Sequence, residues 1–401
     1  MKKITIKNET MKKLIGGVMP LQTSSNHIQF SFGVELRETI CICFGIISTG
    51  VQQVMIGFDC NQPSEKTEFS FEKPYASCVL EAKEFCSIIN ALLNFDEDFQ
   101  LTFQESKVEI TVGKNTLFIN TCEESAMETL IPQDRATVCY QVRANKRKFL
   151  DLLKKGAYLS KTDDAAPYMQ NVTFRINMKE SLVAAYTTDG VTIAKAVTKA
   201  DIVGTEVAKD NVSLIPVPHA SVEVIKKLIL ESIKSNTAPV EEFTMMIGSK
   251  YLYVGIDNMS FSTVLGGSVN TFVDLVDKWA NRDVSAKVVL DNDAVLKILS
   301  LMSISNSVLP IMLVKEKDSL RIEKTGFAKT STGIIASDGL AEFQLWLSSD
   351  RVKTILNSLD KGNVLFSFVD ASNAVSFCNG DLSSEIQTIS YLLPVKAPIE
   401  E

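Results

Sequence analysis

Cys139-Tyr140-Gln141-Val142-Arg143-Ala144-Asn145-Lys146-Arg147-Lys148-Phe149-Leu150-Asp151-Leu152-Leu153 changes period in mid-course. Through Val142 the residues alternate as in a strand with one buried face. After Asn145 the apolar positions Phe149, Leu152 and Leu153 fall at helical spacing. The same switch occurs twice more. Ile4-Thr5-Ile6 leads through Asn8-Glu9-Thr10 into Met11, Leu14 and Ile15, and Val288-Val289-Leu290 leads through Asp291 or Asp293 into Val295, Ile298 and Leu299. Asn and Asp suit such starts because their side chains accept the orphan amide hydrogens of a helix's first turn.

Each copy continues in the same way, and the repeat sets the fold class. A second helix follows, with Phe85, Ile88, Ile89 and Leu92 in the first copy, Ile225, Leu228 and Ile229 in the second, and Val352, Ile355, Leu356 and Leu359 in the third. Two alternating strands come after each helix: Phe99 to Phe103 with Val108 to Val112, Phe243 to Met245 with Tyr251 to Val254, and Val364 to Phe368 with Val375 to Phe377. The reading is an α+β chain of three tandem domains, each with two helices and about eight antiparallel strands. For 401 residues the period is roughly 134, a usual domain size. Breaks near Ile131 to Asp134 and Asp277 to Asn281 place the domains at 1–133, 134–279 and 280–401.

Composition narrows the function. Apolar residues at 45% and charged residues at 22% match ordinary globular chains. No apolar run approaches the roughly 18 residues of a membrane helix. The lysines at Met1-Lys2-Lys3 are followed by charge rather than an apolar stretch, so no signal peptide is expected and the location is read as cytoplasmic. In that compartment the eight cysteines, none in a CxxC pair, are read as buried small hydrophobes. The Asn-x-Ser/Thr sequons at Asn8, Asn171, Asn211 and Asn258 then carry no meaning.

The net charge of -7 opposes a nucleic-acid partner only on average. Residues 1–13 hold five lysines against one glutamate, and residues 145–161 hold Lys146, Arg147, Lys148, Lys154, Lys155 and Lys161 against Asp151 alone. An acidic body with basic helices suits a protein that meets phosphate on one face.

Catalytic patterns are missing from the sequence. It has neither a Walker A loop nor GxGxxG nor GxSxG, and its two histidines, His27 and His219, leave zinc and histidine chemistry without groups. Asp291-Asn292-Asp293 starts like a calcium loop but lacks the glycine and distal glutamate, and reads as a cap. The acidic clusters Asp96 to Asp98, Asp163-Asp164 and Glu241-Glu242 read as solvated loops. The expectation is a binding scaffold, not an enzyme, with neither metal nor cofactor.

Three motifs carry a family resemblance. Ala166-Pro167-Tyr168-Met169-Gln170-Asn171-Val172-Thr173-Phe174 resembles the segment after the first helix of the middle domain in the bacterial DNA sliding clamp, the beta subunit of the replicative polymerase. Thr187-Thr188-Asp189-Gly190-Val191-Thr192-Ile193-Ala194 resembles that family's Ala-Thr-Asp-Gly-His-Arg-Leu-Ala hairpin, and Tyr391-Leu392-Leu393-Pro394-Val395-Lys396 its C-terminal strand. The resemblance implies a ring of two three-domain subunits, head to tail, with helices inside and sheets outside. It further implies a processivity factor that slides on double-stranded DNA without reading bases. Polymerase, clamp loader and repair proteins would dock as short linear peptides. By resemblance Lys12, Lys13, Lys146, Arg147, Lys148, Lys154, Lys155, Lys161, Lys226, Lys227 and Lys234 line the hole. Met169, Thr188, Gly190, Ile193, Tyr391, Leu393, Pro394 and Val395 form the peptide pocket, and Leu117, Ile119 and Ile304 the dimer interface.

The chain also departs from the family. Val191 and Thr192 replace His-Arg, the stretch Gly267 to Phe272 lacks Phe-Pro-Asp-Tyr, and Ala397 to Glu401 run past the usual end. The helices of the last domain are nearly uncharged. The alternative reading is therefore a clamp-like interaction scaffold that does not encircle DNA.

Overall fold

The computed structural model describes residues 2–18, 27–37, 40–49, 51–59, 76–122, 131, 137–159, 166–205, 212–234, 241–267, 272–303, 309–324, 329–339, 342–379 and 386–396. The chain begins with β1 (Lys2–Ile6), α1 (Asn8–Val18), β2 (His27–Arg37), β3 (Ile40–Ser48) and β4 (Gln52–Asp59). It continues through β5 (Ala76–Glu81), α2 (Ala82–Leu92), β6 (Phe99–Phe103), β7 (Lys107–Val112) and β8 (Asn115–Asn120). A second passage holds β9 (Val138–Asn145), α3 (Lys146–Gly156), a 3-10 turn at Pro167–Gln170, β10 (Asn171–Asn177), β11 (Leu182–Thr188) and β12 (Thr192–Lys199). Then come β13 (Asp201–Gly204), β14 (Val212–Pro218), α4 (His219–Lys234), β15 (Glu242–Gly248), β16 (Tyr251–Ile256) and β17 (Met259–Val264). The third passage holds α5 (Phe272–Ala280), β18 (Ala286–Asp291), α6 (Asn292–Met302), β19 (Ile311–Glu316), β20 (Ser319–Lys324) and β21 (Lys329–Gly339). It ends with β22 (Phe343–Leu347), α7 (Ser349–Ser358), β23 (Asn363–Phe368), β24 (Val375–Asn379) and β25 (Ile386–Leu392).

These elements form two compact units. Residues 1–150, 201–211 and 220–265 make one, and residues 151–200, 212–219 and 266–401 the other. The first unit holds a four-stranded sheet, β1-β6-β7-β8, and a nine-stranded sheet, β13-β9-β15-β16-β17-β4-β3-β2-β5. The second holds one sheet of twelve strands, β14-β10-β11-β12-β25-β24-β23-β18-β21-β20-β19-β22. Two junctions between passages explain the division. β17 pairs antiparallel with β4, Met259 opposite Ile56 and Thr263 opposite Gln52. β25 pairs with β12, Leu392 opposite Thr192 and Ile386 opposite Thr198. Each junction joins a late strand of one passage to a middle strand of the passage before it.

The alternating stretches became strands and the periodic ones helices. Phe85, Ile89 and Leu92 are buried on α2, Ile225, Leu228 and Ile229 on α4, and Val352, Ile355, Leu356 and Leu359 on or next to α7. Phe149 of α3 stacks on Phe243 of β15, centroids 4.0 Å apart. Each such fully buried side chain contributes on the order of 1.5–3 kcal/mol. The helix α5 was not legible in the sequence, because it spans nine residues across an expected domain break.

Helix starts show one shared device. Asn145 Oδ1 accepts the amides of Arg147 (2.9 Å) and Lys148 (3.3 Å), and Asp291 Oδ1 accepts that of Ala294 (2.9 Å), as caps should. Asn8 does something else. Buried rather than solvated, its amide donates to the carbonyls of Phe95 (2.7 Å) and Glu97 (3.3 Å) just past α2. Asn292, first residue of α6, likewise donates to Leu356 and Asp360 at the end of α7, both at 3.1 Å. The first residue of α3 is Lys146, which donates from Nζ to Ser232 of α4 (2.9 Å) and to Asp257 (2.5 Å). So the opening residues of α1, α3 and α6 tie down the ends of α2, α4 and α7 in turn. Lys146 is 4% exposed, and the expectation that it faces DNA is corrected. Its charge is held by Asp257, which also accepts from Ser232.

Burial pushes the Cys78 thiol up to about 12 and that of Cys378 up to about 11. Since the thiolate is the reactive form, native alkylation at pH 8 with mass-spectrometric mapping should leave both unlabelled, with labelling appearing only after unfolding. Replacing Lys146 with Ala leaves the Asp257 carboxylate, in the turn after β16, with Ser232 but without its cation. The expected loss is about 1.5–3 kcal/mol, read as a shift of the urea unfolding transition.

Candidate functional site

The site grows from a tight hairpin between β11 and β12. Asp189 Oδ1 accepts the amides of Val191 (3.1 Å) and Thr192 (2.7 Å). Thr188 Oγ1 donates to the Thr192 carbonyl (2.8 Å) and accepts the Gly190 amide (3.1 Å). Gly190 has φ +88, and a Cβ there would stand 2.8 Å from Cε of Met169. Only glycine permits both the turn and the close approach. From α7, Arg351 donates to Asp189 Oδ2 and to Thr192 Oγ1, the latter at 3.0 Å. Both carboxylate oxygens of Asp189 are thus occupied. Leu159, Asp189, Thr192, Ser348, Asp350, Arg351 and Thr354 line an open cleft of about 330 Å³ here.

The opposite face of β12 carries Ile193 and Val197, with Lys195 between them, as the period of two demands. Ile193 lies opposite Tyr391 of β25. The two pack with Ala184, Tyr186 and Ala374, and with Phe272, Val273 and Val276 of α5. Trp279 meets the Tyr391 ring at 5.3 Å. Asp277 anchors α5 to the sheet, 2.6 Å from Arg175 of β10 and 4.0 Å from Lys195 of β12. The chain after β25 is held by two backbone bonds, Leu393 to the Val191 carbonyl (3.1 Å) and Val395 to the Trp346 carbonyl (2.9 Å). Leu393, Leu275 and Tyr168 remain exposed. Burial pushes the Tyr391 hydroxyl up to about 12.

The residues expected in a pocket are therefore brought into one region of one unit. Met169 packs on Gly190, Thr188 and Gly190 shape the hairpin, and Ile193 and Tyr391 form an apolar floor. Leu393 to Val395 run beside that floor, with Pro394 and Val395 half-buried. Sequence reading left the neighbourhood of Leu275 and Val276 poorly placed and missed Phe272, Val273 and Trp279. The spacing of Phe272, Val273 and Val276 was the available signal. It missed Arg351 too, whose partner lies 162 residues away.

The basic residues are less uniform than their sequence clustering suggests. Lys12, Arg147, Lys154, Lys227 and Lys234 are exposed, while Lys148 is half-buried. Lys13 pairs with Glu9 at 3.1 Å, Lys226 with Glu223 at 2.7 Å and Lys234 with Glu231 at 2.8 Å. Lys155, largely covered, lies 2.5 Å from Asp360. Lys161 is outside the described residues.

At the edge of the four-stranded sheet, β8 exposes Leu117 and Phe118, with Lys107 Nζ 4.0 Å from the Phe118 ring centroid. Ile119 is fully buried, so its side chain belongs to the core and only its backbone stays available at the β8 edge. Alternation turned it inward and turned Phe118 out. Ile304 lies outside the described residues.

Solved structures share this arrangement of strands and helices. The Helicobacter pylori beta clamp bound to a DNA ligase peptide matches with a TM-score of 0.73 at 17% identity, over 99% of this chain and 100% of that one. The DNA polymerase III beta subunit of Thermotoga maritima matches with a TM-score of 0.76 at 11% identity, over 99% and 100%. This chain has the sliding-clamp fold. A DNA polymerase sliding clamp of Pseudomonas aeruginosa matches with a TM-score of 0.74 at 14% identity, over 98% and 99%. No sequence-family model and no curated protein matches the chain. The sliding-clamp fold is thus carried by a sequence in which the hairpin, the tail and the strand pattern are the readable parts.

Asp189→Ala removes the acceptor of two turn amides and the partner of Arg351. Hydrogen bonds to a charged group are worth about 1.5–3 kcal/mol, so amide exchange at Val191 and Thr192 should accelerate about 10- to 100-fold, read by hydrogen–deuterium exchange.

Proposed function

We propose that this chain is a divergent sliding clamp. Two copies close head to tail around duplex DNA, in the cytoplasm, and tether polymerase, clamp loader and repair proteins without doing chemistry. Its three domains are 1–133, 134–279 and 280–401, with α1 and α2, α3 and α4, and α6 and α7 as their helix pairs and α5 preceding the last.

The pattern of strand junctions carries the reading. β17 docks on β4, and β25 docks on β12. By the same rule β8, the corresponding strand of the first domain, should dock in turn, yet among the described strands it pairs with β7 alone and ends its sheet. The corresponding acceptor in the last domain is the first half of β21, where Lys329 to Gly333 pair, among the described strands, with β20 on one edge only. An unpaired edge with exposed Leu117 and Phe118 is an aggregation hazard in a monomer. Placing β8 on β21 of a second copy, twice, repeats the existing junction and closes the assembly.

Contact with DNA then falls to the exposed cations Lys12, Arg147, Lys154, Lys227 and Lys234, with Lys148 half-buried among them. Scattered phosphate contacts of this kind hold a duplex without reading bases and let a protein slide. The binding of a DNA ligase peptide by the H. pylori clamp supports reading the region of Met169, Thr188, Gly190, Ile193, Tyr391, Leu393, Pro394 and Val395 as a peptide pocket. One observation favours the scaffold that encircles no DNA: α6 carries a single lysine against a single aspartate, and Arg351 of α7 is engaged by Asp189.

Light scattering across a dilution series should give twice 44.2 kDa for the native chain. Leu117→Glu combined with Phe118→Glu should give the single mass. A native monomer at every concentration would overturn the ring. Protein loaded on circular duplex should be released when that DNA is linearised.

A further inference from the structure

We propose that, where two copies of this chain meet, Phe118 of one stands opposite Lys329 of the other. The lysine covers the ring and fixes the register of the copy-to-copy strand pair. This pairing rests on the ring reading above and adds the two residues that align it.

The two junctions inside the chain set the rule. At the first, Ser262 of β17 stands opposite Gln53 of β4, and at the second, Tyr391 of β25 stands opposite Ile193 of β12. Gln53 and Ile193 are equivalent in two ways. Each lies three residues past the glycine of a short motif, Thr49-Gly50-Val51 or Asp189-Gly190-Val191. Among the described pairs each is also the one nearest its hairpin, opposite Ser48 and Thr188 in turn. Lys329 meets both conditions in the last domain, three residues past the glycine of Thr325-Gly326-Phe327 and opposite Glu323. The docking strands align as well. Buried Leu252 and Val375 are followed by Tyr253 and Ser376, which stand opposite Ser262 and Tyr391. In the first domain, buried Val108 is followed by Glu109, which stands opposite Phe118.

Burial separates the built junctions from the open one. Ser262, Gln53, Tyr391 and Ile193 are all buried. Phe118 is 49% exposed, and the Lys329 side chain 72%. The chemistry of the two is complementary. Lys107 Nζ lies 4.0 Å from the Phe118 centroid, so the ring already holds one cation and keeps surface for a second. Lys329 stands 3.5 Å from Glu323. Across the junction Glu109, Phe118, Lys329 and Glu323 form one row, in which the two glutamates balance Lys107 and Lys329. Opposed side chains of an antiparallel pair have Cβ atoms about 4.5–5.5 Å apart, within reach of a lysine that lays its stem and charge on an aromatic face. The docking strand Asn115 to Asn120 has no charge, and in 329–336 Lys329 carries the sole one. Uncharged edges slip readily, so Lys329 is the mark that holds the register.

The test is cross-linking of the full chain at a concentration where light scattering shows the native dimer. Phe118→Cys combined with Lys329→Cys, oxidised with diamide, should give a covalent dimer. Phe118→Cys combined with Thr330→Cys, one residue out of register and on the other face, should not. Lys329→Ala should weaken the dimer about tenfold over its two junctions, and in a Phe118→Ala background by less than about twofold. A native dimer in which the Phe118 and Lys329 positions fail to cross-link would overturn the pairing and leave the ring. So would a Lys329→Ala loss as large in the Phe118→Ala background as in the native chain. A native monomer at every concentration would overturn the ring reading and this pair with it.

Discussion

Backbone pairing across the repeat boundaries is the constraint on which the rest depends. β17 on β4 and β25 on β12 each merge strands from successive passages into one hydrogen-bonded sheet. The second junction also builds the candidate pocket, since it brings Tyr391 opposite Ile193 and the tail residue Leu393 onto Val191. A pocket wall is therefore made of segments that lie about half the chain apart, fixed by main-chain geometry rather than by flexible loops. The edge that the first passage leaves unpaired among the described strands follows from the same arithmetic of donors and acceptors.

A polar tie then sets each helix pair. Asn8 and Asn292 answer the end carbonyls of the partner helix with a neutral amide, while Lys146 answers a carboxylate and a hydroxyl with a charge. The neutral ties avoid burying an ion. The charged one is held by an aspartate that sits in the tight turn between β16 and β17, with φ of 54. A repeated position has thus kept its task while changing its chemistry.

Much of the fold was legible because period-2 and helical patterns recur three times, and because Asp189-Gly190 and the tail are local motifs. What escaped the sequence had physical reasons. Lys146 sits in a run of cations, yet its place as first residue of α3 turns it onto Asp257, a partner 111 residues away. Ile119 and Phe118 are adjacent and equally apolar, and only the register of β8 on β7 decides which one is buried. The nine residues of α5 contribute Phe272, Val273 and Val276 to the floor, but a helix that short has too few turns to announce a period. Arg351 could not be linked to Asp189 without the fold, because nothing local in α7 distinguishes it.

The shared sheets have a consequence for dissecting this protein. Cutting the chain between passages would not release domains. It would tear a sheet along a row of hydrogen bonds, leaving β4 without β17, or β12 without β25. Each fragment would carry a fresh sticky edge, and its natural fate is to seek another strand, from a neighbour or from its own severed half. Split at those places, the two pieces should behave as complementary fragments that recover their structure on mixing rather than as miniature proteins.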